Sequence, residues 1–206
     1  MDLISQMRKK ITGEEFDYLL LLNCLKDYKR PRDKITKLIK NETILRVKKG
    51  LYVFGPLYRK RPYSLEVLAN LIYGPSYISF EYALSYYGLI PETVKRVTSA
   101  SYKKNKTFET DLASFVYYPV HKEAFSIGIQ SIKLDSNTYF LMASKEKALV
   151  DFIARLKKFT STKELCTYLT DSLRIEPSEI KKLNMKLLSE IQLHYKNKNV
   201  SLLCEI

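Results

Sequence analysis

A chain of 206 residues that is 46% hydrophobic and 12% aromatic is rich enough in apolar side chains to build one good core or two small ones, which excludes a disordered polyelectrolyte. No run reaches the roughly 18 to 20 uninterrupted apolar residues of a membrane-spanning helix, and Met1 to Lys10 lacks the apolar centre of a signal peptide, so a cytoplasmic protein without a membrane partner is expected. The formal charge of +13 is unevenly placed: residues 1–62 hold 16 Lys and Arg against 7 Asp and Glu, a local excess of +9 that attracts polyanions such as nucleic acid.

Taken in chain order, Thr12-Gly13-Glu14-Glu15 has the capping-box spacing and predicts a helix start, followed by Phe16, Tyr18 to Leu22 and Cys24-Leu25, apolar on most sides. Lys26 to Arg30 reads as a turn. Pro31 then suits the first turn of a second helix, because its missing N–H needs no partner there. Ile35, Leu38 and Ile39 recur at the spacing of one inward face, which leaves Arg32, Lys34, Thr36, Lys37 and Lys40 on or near the outer faces. Asn41 ends the helix. Ile44 to Val47 and Leu51 to Phe54 are two β-prone runs joined by Lys48-Lys49-Gly50, a hairpin pattern with a glycine free to take positive φ, and Gly55-Pro56 ends the second strand. Helix, turn, helix and hairpin in about fifty residues is the order of a winged helix-turn-helix domain, expected over residues 1–62 with Leu57 to Pro62 as a basic connector.

Beyond it, Ser64 to Ile72 and Ser79 to Gly88 read as two capped helices that pack together. From Val94 the apolar period changes to two, over Val94 to Ser99, Leu112 to Tyr118, Ser126 to Lys133 and Thr138 to Ala143, which predicts a small, mostly antiparallel sheet. Ser144 caps a helix from Lys145 to about Phe159, and two more helical patterns lie near Lys163 to Leu173 and Pro177 to Tyr195. The expected architecture is therefore α+β, with the winged helix followed by a helical and antiparallel-sheet domain over residues 63–206.

Groups able to move protons or hold a metal are sparse. His121 and His194 stand alone, and Cys24, Cys166 and Cys204 are odd in number and widely spaced, so neither a metal site nor a disulfide framework is suggested. No glycine-rich phosphate loop is present, and no cofactor is expected. Ser144 and Lys147 match Ser-x-x-Lys, a spacing that can let a lysine deprotonate a serine, yet a helix cap at Ser144 and an ordinary Lys147–Asp151 pair explain the same residues. No catalytic residue is assigned, and the protein is not expected to be an enzyme. Tyr73, Tyr77, Tyr82, Tyr86 and Tyr87 are read as core and interface packing rather than as a platform for unpaired bases.

The basic helix and the hairpin beside it form the one constellation that points to a partner. Lys48, Lys49 and some helix lysines are placed to meet phosphates, while Arg32, Thr36 and Lys37 are placed to reach base edges, where Arg or Lys pairs with guanine N7 and O6. Arg30, Lys34, Lys40 and Arg46 complete the candidate DNA-binding set.

Pro31-Arg32-Asp33-Lys34-Ile35, Leu38-Ile39 and Ile44 to Tyr52, with its Lys-Gly-apolar-Tyr wing, resemble the winged helix of AbiEi-type antitoxins. Ser79 to Leu89, Val97-Thr98-Ser99 and Ala143 to Asp151 are similar to the antitoxin domain of that family, in the family's order. The resemblance implies a bacterial type IV toxin-antitoxin component linked to abortive infection against phage. It would repress its own operon by binding inverted repeats in double-stranded operator DNA, and its second domain would counter a nucleotidyltransferase-like toxin without requiring a stable complex. The alternatives from the residues alone are a winged-helix transcriptional regulator whose second domain senses a ligand or dimerises, and an enzyme acting on nucleic acid or nucleotides.

Overall fold

The computed structural model describes residues 2–206 and has the α+β composition expected. It opens with a helix, α1 (Leu3–Lys10), whose N-terminus is capped by the Asp2 carboxylate accepting from the Ile4 N–H. Only Met7 of this helix is buried, and so weak an apolar stripe explains why pattern reading passes over it.

Thr12 does not start a helix. Glu15–Asp17 forms strand β1, and α2 (Tyr18–Cys24) begins behind it with Asp17 as the cap, accepting from the Leu20 N–H. The two glutamates of the expected capping box serve tertiary contacts instead. Glu14 accepts from Arg8 and from the Lys60 N–H, and Glu15 accepts from Arg61 and the Ser64 N–H. Then come α3 (Pro31–Lys40), β2 (Ile44–Lys48) and β3 (Leu51–Phe54), the last flanked by β1 and β2 in an antiparallel sheet of order β1-β3-β2. Gly55, after β3, has no room for a side chain: a Cβ there would sit 1.7 Å from the Glu42 carbonyl oxygen.

This small sheet has two apolar faces. Phe16, Ile44, Tyr52 and Phe54 pack under the three helices with Met7, Leu21, Leu25, Ile35 and Leu38. Val47, Leu51 and Val53 alternate with them and join the larger core formed by the rest of the chain. The hairpin is thus wedged between the helices in front and the second region behind.

That region is laid on a six-stranded sheet of order β6-β7-β5-β4-β9-β8: β4 (Tyr77–Ile78), β5 (Val97–Ser101), β6 (Lys106–Glu109), β7 (Ser114–Pro119), β8 (Ile129–Lys133) and β9 (Tyr139–Ala143). The sheet is mostly antiparallel, as expected, and mixed in that β4 pairs with β9, and β5 with β7, in parallel. The expectation misses β4 because two residues show no alternation, and β4 is the strand that joins the two halves of the sheet. It misses β6 because Lys106–Glu109 is largely exposed.

Helices α4 (Leu65–Ile72) and α5 (Phe80–Tyr86) flank β4, and α6 (Lys145–Ile153) follows β9. The chain ends in α7 (Thr162–Thr167), which runs into a wider π turn over Tyr168–Ser172, then α8 (Pro177–Lys181), α9 (Met185–Tyr195) and α10 (Lys198–Leu203). The single helix expected over Pro177 to Tyr195 is broken because Asn184 caps a new start, accepting from the Leu187 N–H. Among the described residues, no helix is long and apolar enough to cross a membrane.

Candidate nucleic-acid interface

Pro31 stands in the first turn of α3, as its ring favours, and Ile35 and Leu38 are buried against α1, α2 and the sheet. The same periodicity turns Arg32, Thr36, Lys37 and Lys40 outward, all exposed. The Thr36 hydroxyl donates to the Arg32 carbonyl at 3.1 Å, which fixes its rotamer and leaves its oxygen free to accept.

Between α3 and the hairpin tip runs a groove of about 760 Å³, with Ile35, Ile39, Tyr18 and Tyr52 as its floor and Arg32, Thr36, Arg46 and Lys49 on its rim. No carboxylate lines it. Gly50 takes φ +90° at the tip, and its carbonyl accepts from the Tyr18 N–H, which ties the hairpin to the start of α2. On the opposite side of α3 a second groove, of about 570 Å³, is formed by Tyr28, Lys29, Arg30, Asp33, Lys34 and Lys37. There the Lys34 ammonium lies 5.4 Å over the Tyr28 ring, and Arg30 makes a loose, solvent-exposed pair with Asp33 at 3.9 Å. Such a pair is worth little in water and leaves both groups available to a partner.

The structure therefore brings Arg32, Thr36, Arg46 and Lys49 to one groove, and Arg30, Lys34 and Lys37 to the other. Lys40 is exposed at the end of α3 and lines neither. Lys48 is the exception to the sequence reading. Its Nζ is turned back to donate to the Ile72 carbonyl and lies 5.7 Å over the Phe108 ring, and burial lowers its pKa. An ammonium held between the hairpin and α4 in this way does not face the groove, so Lys48 is removed from the expected phosphate contacts. Sequence reasoning missed Tyr18, Tyr52 and Tyr28. The first two could have been found by pairing Phe16 and Tyr18 with the hairpin as a third strand, since Asp17 registers with Leu51 and Phe16 with Tyr52.

The Ser144–Lys147 spacing yields a cap and a buried ion pair. Ser144 Oγ accepts from the Lys147 backbone N–H at 3.2 Å. The Lys147 ammonium donates to the Ala124 carbonyl at 2.7 Å and to the Tyr195 hydroxyl at 3.3 Å, and is 3.1 Å from Asp151 Oδ1. Asp151 in turn accepts from Tyr77 (2.9 Å), Ser79 (2.6 Å) and Tyr195, and both charged side chains are fully buried. Every oxygen and proton at the centre of this network has a partner within the fold, which is the arrangement of a structural tie. No protein-family model matches the chain, and no curated protein matches it.

Proposed function

We propose that the first 62 residues are a winged helix-turn-helix that binds double-stranded DNA. The order α1-β1-α2-α3-β2-β3 supports this reading, with α3 as the helix that enters the major groove and the β2–β3 hairpin as a short wing. The observation that carries it is the convergence of Arg32 and Thr36 from α3 with Arg46 and Lys49 from the hairpin on one groove free of carboxylates. In this reading Arg32, Thr36 and Lys37 read base edges, and Lys49, Arg46, Lys34, Lys40 and Arg30 hold phosphates on either side.

The resemblance to AbiEi-type antitoxins extends the proposal. The DNA is an operator with inverted repeats, the protein represses its own operon, and the second region counters a nucleotidyltransferase-like toxin without catalysis of its own. Two experiments test the two halves. In gel shifts, Lys37→Glu and Lys49→Glu each weaken duplex binding, and unchanged binding in both removes α3 and the hairpin from the footprint. In co-expression with the neighbouring gene, growth is rescued by this chain, and no rescue refutes the antitoxin role while leaving the DNA reading in place.

A further inference from the structure

The hairpin tip does not end the cationic surface. Lys48 and Lys106 lie over the same Phe108 ring, their ammonium groups 5.7 and 5.9 Å from its centroid. The β5–β6 loop is thereby brought beside Lys48, the chain neighbour of Lys49 at the hairpin tip, although more than fifty residues separate them in sequence. That loop reads Tyr102-Lys103-Lys104-Asn105-Lys106, every residue of it exposed. It contains no acidic residue, and among the described residues none of its three lysines is ion-paired with a carboxylate.

Its backbone is anchored. The Tyr73 hydroxyl donates to the Lys104 carbonyl at 3.3 Å, Lys103 Nζ donates to the Gly74 carbonyl at 2.5 Å, and the Lys103 N–H donates to Ser101 Oγ at 3.2 Å. A run of like charges costs self-repulsion, which an anionic partner relieves, and a loop held at both ends loses little entropy on binding one.

We propose that the β5–β6 loop is a second DNA-contacting segment, with Lys104 and Lys106 meeting phosphates of the duplex that flanks the part gripped by α3 and the hairpin. Lys103, already spent in part on Gly74, positions the loop. The inference rests on the duplex-binding reading of the first region and enlarges its footprint: α3, then the hairpin tip, then the loop, each supplied by a different stretch of chain.

The test compares the wild-type chain with the Lys104→Ala/Lys106→Ala double variant on two duplexes, one just long enough for α3 and the hairpin and one extended by about one helical turn at each end. For the wild type, extension raises affinity. For the variant it does not, and the magnitude of the slope of log affinity against log salt on the long duplex falls by about 1.8, since each phosphate contact contributes about 0.9. Between about 50 and 200 mM salt that difference amounts to about a tenfold change in affinity. Lys104→Arg/Lys106→Arg retains the wild-type slope. A double-alanine variant with an unchanged slope and an unchanged gain from extension overturns the inference, as does an arginine variant that behaves like the alanine one. If the wild type binds neither duplex, the failure belongs to the first-region reading itself.

Discussion

The groove of the first region and the core of the second treat charge in opposite ways. In the first, Arg32, Arg46 and Lys49 stand exposed and unpaired around one groove, with Lys37 and Lys40 exposed elsewhere on α3, each keeping its hydration. In the second, Lys147 and Asp151 are taken wholly out of water and compensated by each other, by two tyrosine hydroxyls, by Ser79 and by the Ala124 carbonyl. A lysine in the sequence has no fixed meaning until its surroundings are known. Exposed and unpaired, it is free to act on something outside the chain; buried and paired, it holds helices to a sheet.

The largest effect is expected where the second region is broken at its centre. Asp151→Ala leaves the Lys147 ammonium buried without its counter-ion and three hydroxyls without their acceptor, and removing one partner of a buried pair costs about 3 to 5 kcal/mol. Urea unfolding followed by circular dichroism measures it. A loss below about 1 kcal/mol would mean that the network is not the tie described.

High pH acts on the same region. Burial, then the charge of Asp151, raises the phenols of Tyr77 and Tyr195; burial raises Tyr117; and burial followed by the hydrogen bond to Glu66 raises Tyr82. Burial, with Tyr86 and Glu146 nearby, pushes Tyr87 up to about 12. A phenol whose pKa is raised on folding contributes stability that is complete below its ordinary value of 10 and is lost as pH climbs through the folded-state value. Stability of the second region should therefore fall between pH 10 and 12 and beyond. Tyrosinate absorbance and loss of structure should rise together, and tyrosines that ionise freely in a still-folded protein would contradict the burial.

Where the sequence was legible and where it was not follows from the same contrast. The α3 helix and the hairpin were readable because one face of each is solvated, so alternation and helical spacing show in the letters. The mixed order of the large sheet was not readable, because its middle strand, β4, is two buried residues that carry no period. The fate of Glu14 and Glu15 was invisible for a different reason. Their partners Arg8, Lys60, Arg61 and Ser64 are set by how α1 and the connector fold back, and a local capping pattern loses to that tertiary demand. Among the candidate site residues, exposure was predictable from helical phase, whereas Lys48 depended on what lies behind the hairpin.

In the first region, Arg32→Ala should leave the unfolding curve within about 0.5 kcal/mol of wild type, since the residue is exposed and in no ion pair among the described residues. It should cost about 1 to 3 kcal/mol of discrimination at one position of the preferred duplex, with weaker change on random sequence. Binding-site selection on the variant checks this, and an identical preferred sequence would demote Arg32 to a phosphate contact.

The smallest effect, and the sharpest division between the two uses of charge, is at the junction. Lys48 and Lys49 are neighbours in sequence, yet one donates to Ile72 behind the hairpin and the other rims the groove in front. Lys48→Met keeps an unbranched apolar side chain and removes the ammonium with its hydrogen bond to Ile72, at a net cost of about 0.5 to 1.5 kcal/mol in stability, with the salt slope of duplex binding unchanged. Lys49→Met should do the reverse, leaving stability alone and lowering the slope by about 0.9. If both variants lowered the slope equally, the ammonium of Lys48 would have to leave the Ile72 carbonyl when DNA binds, and the hairpin would then be a movable wing rather than one wedged against the second region.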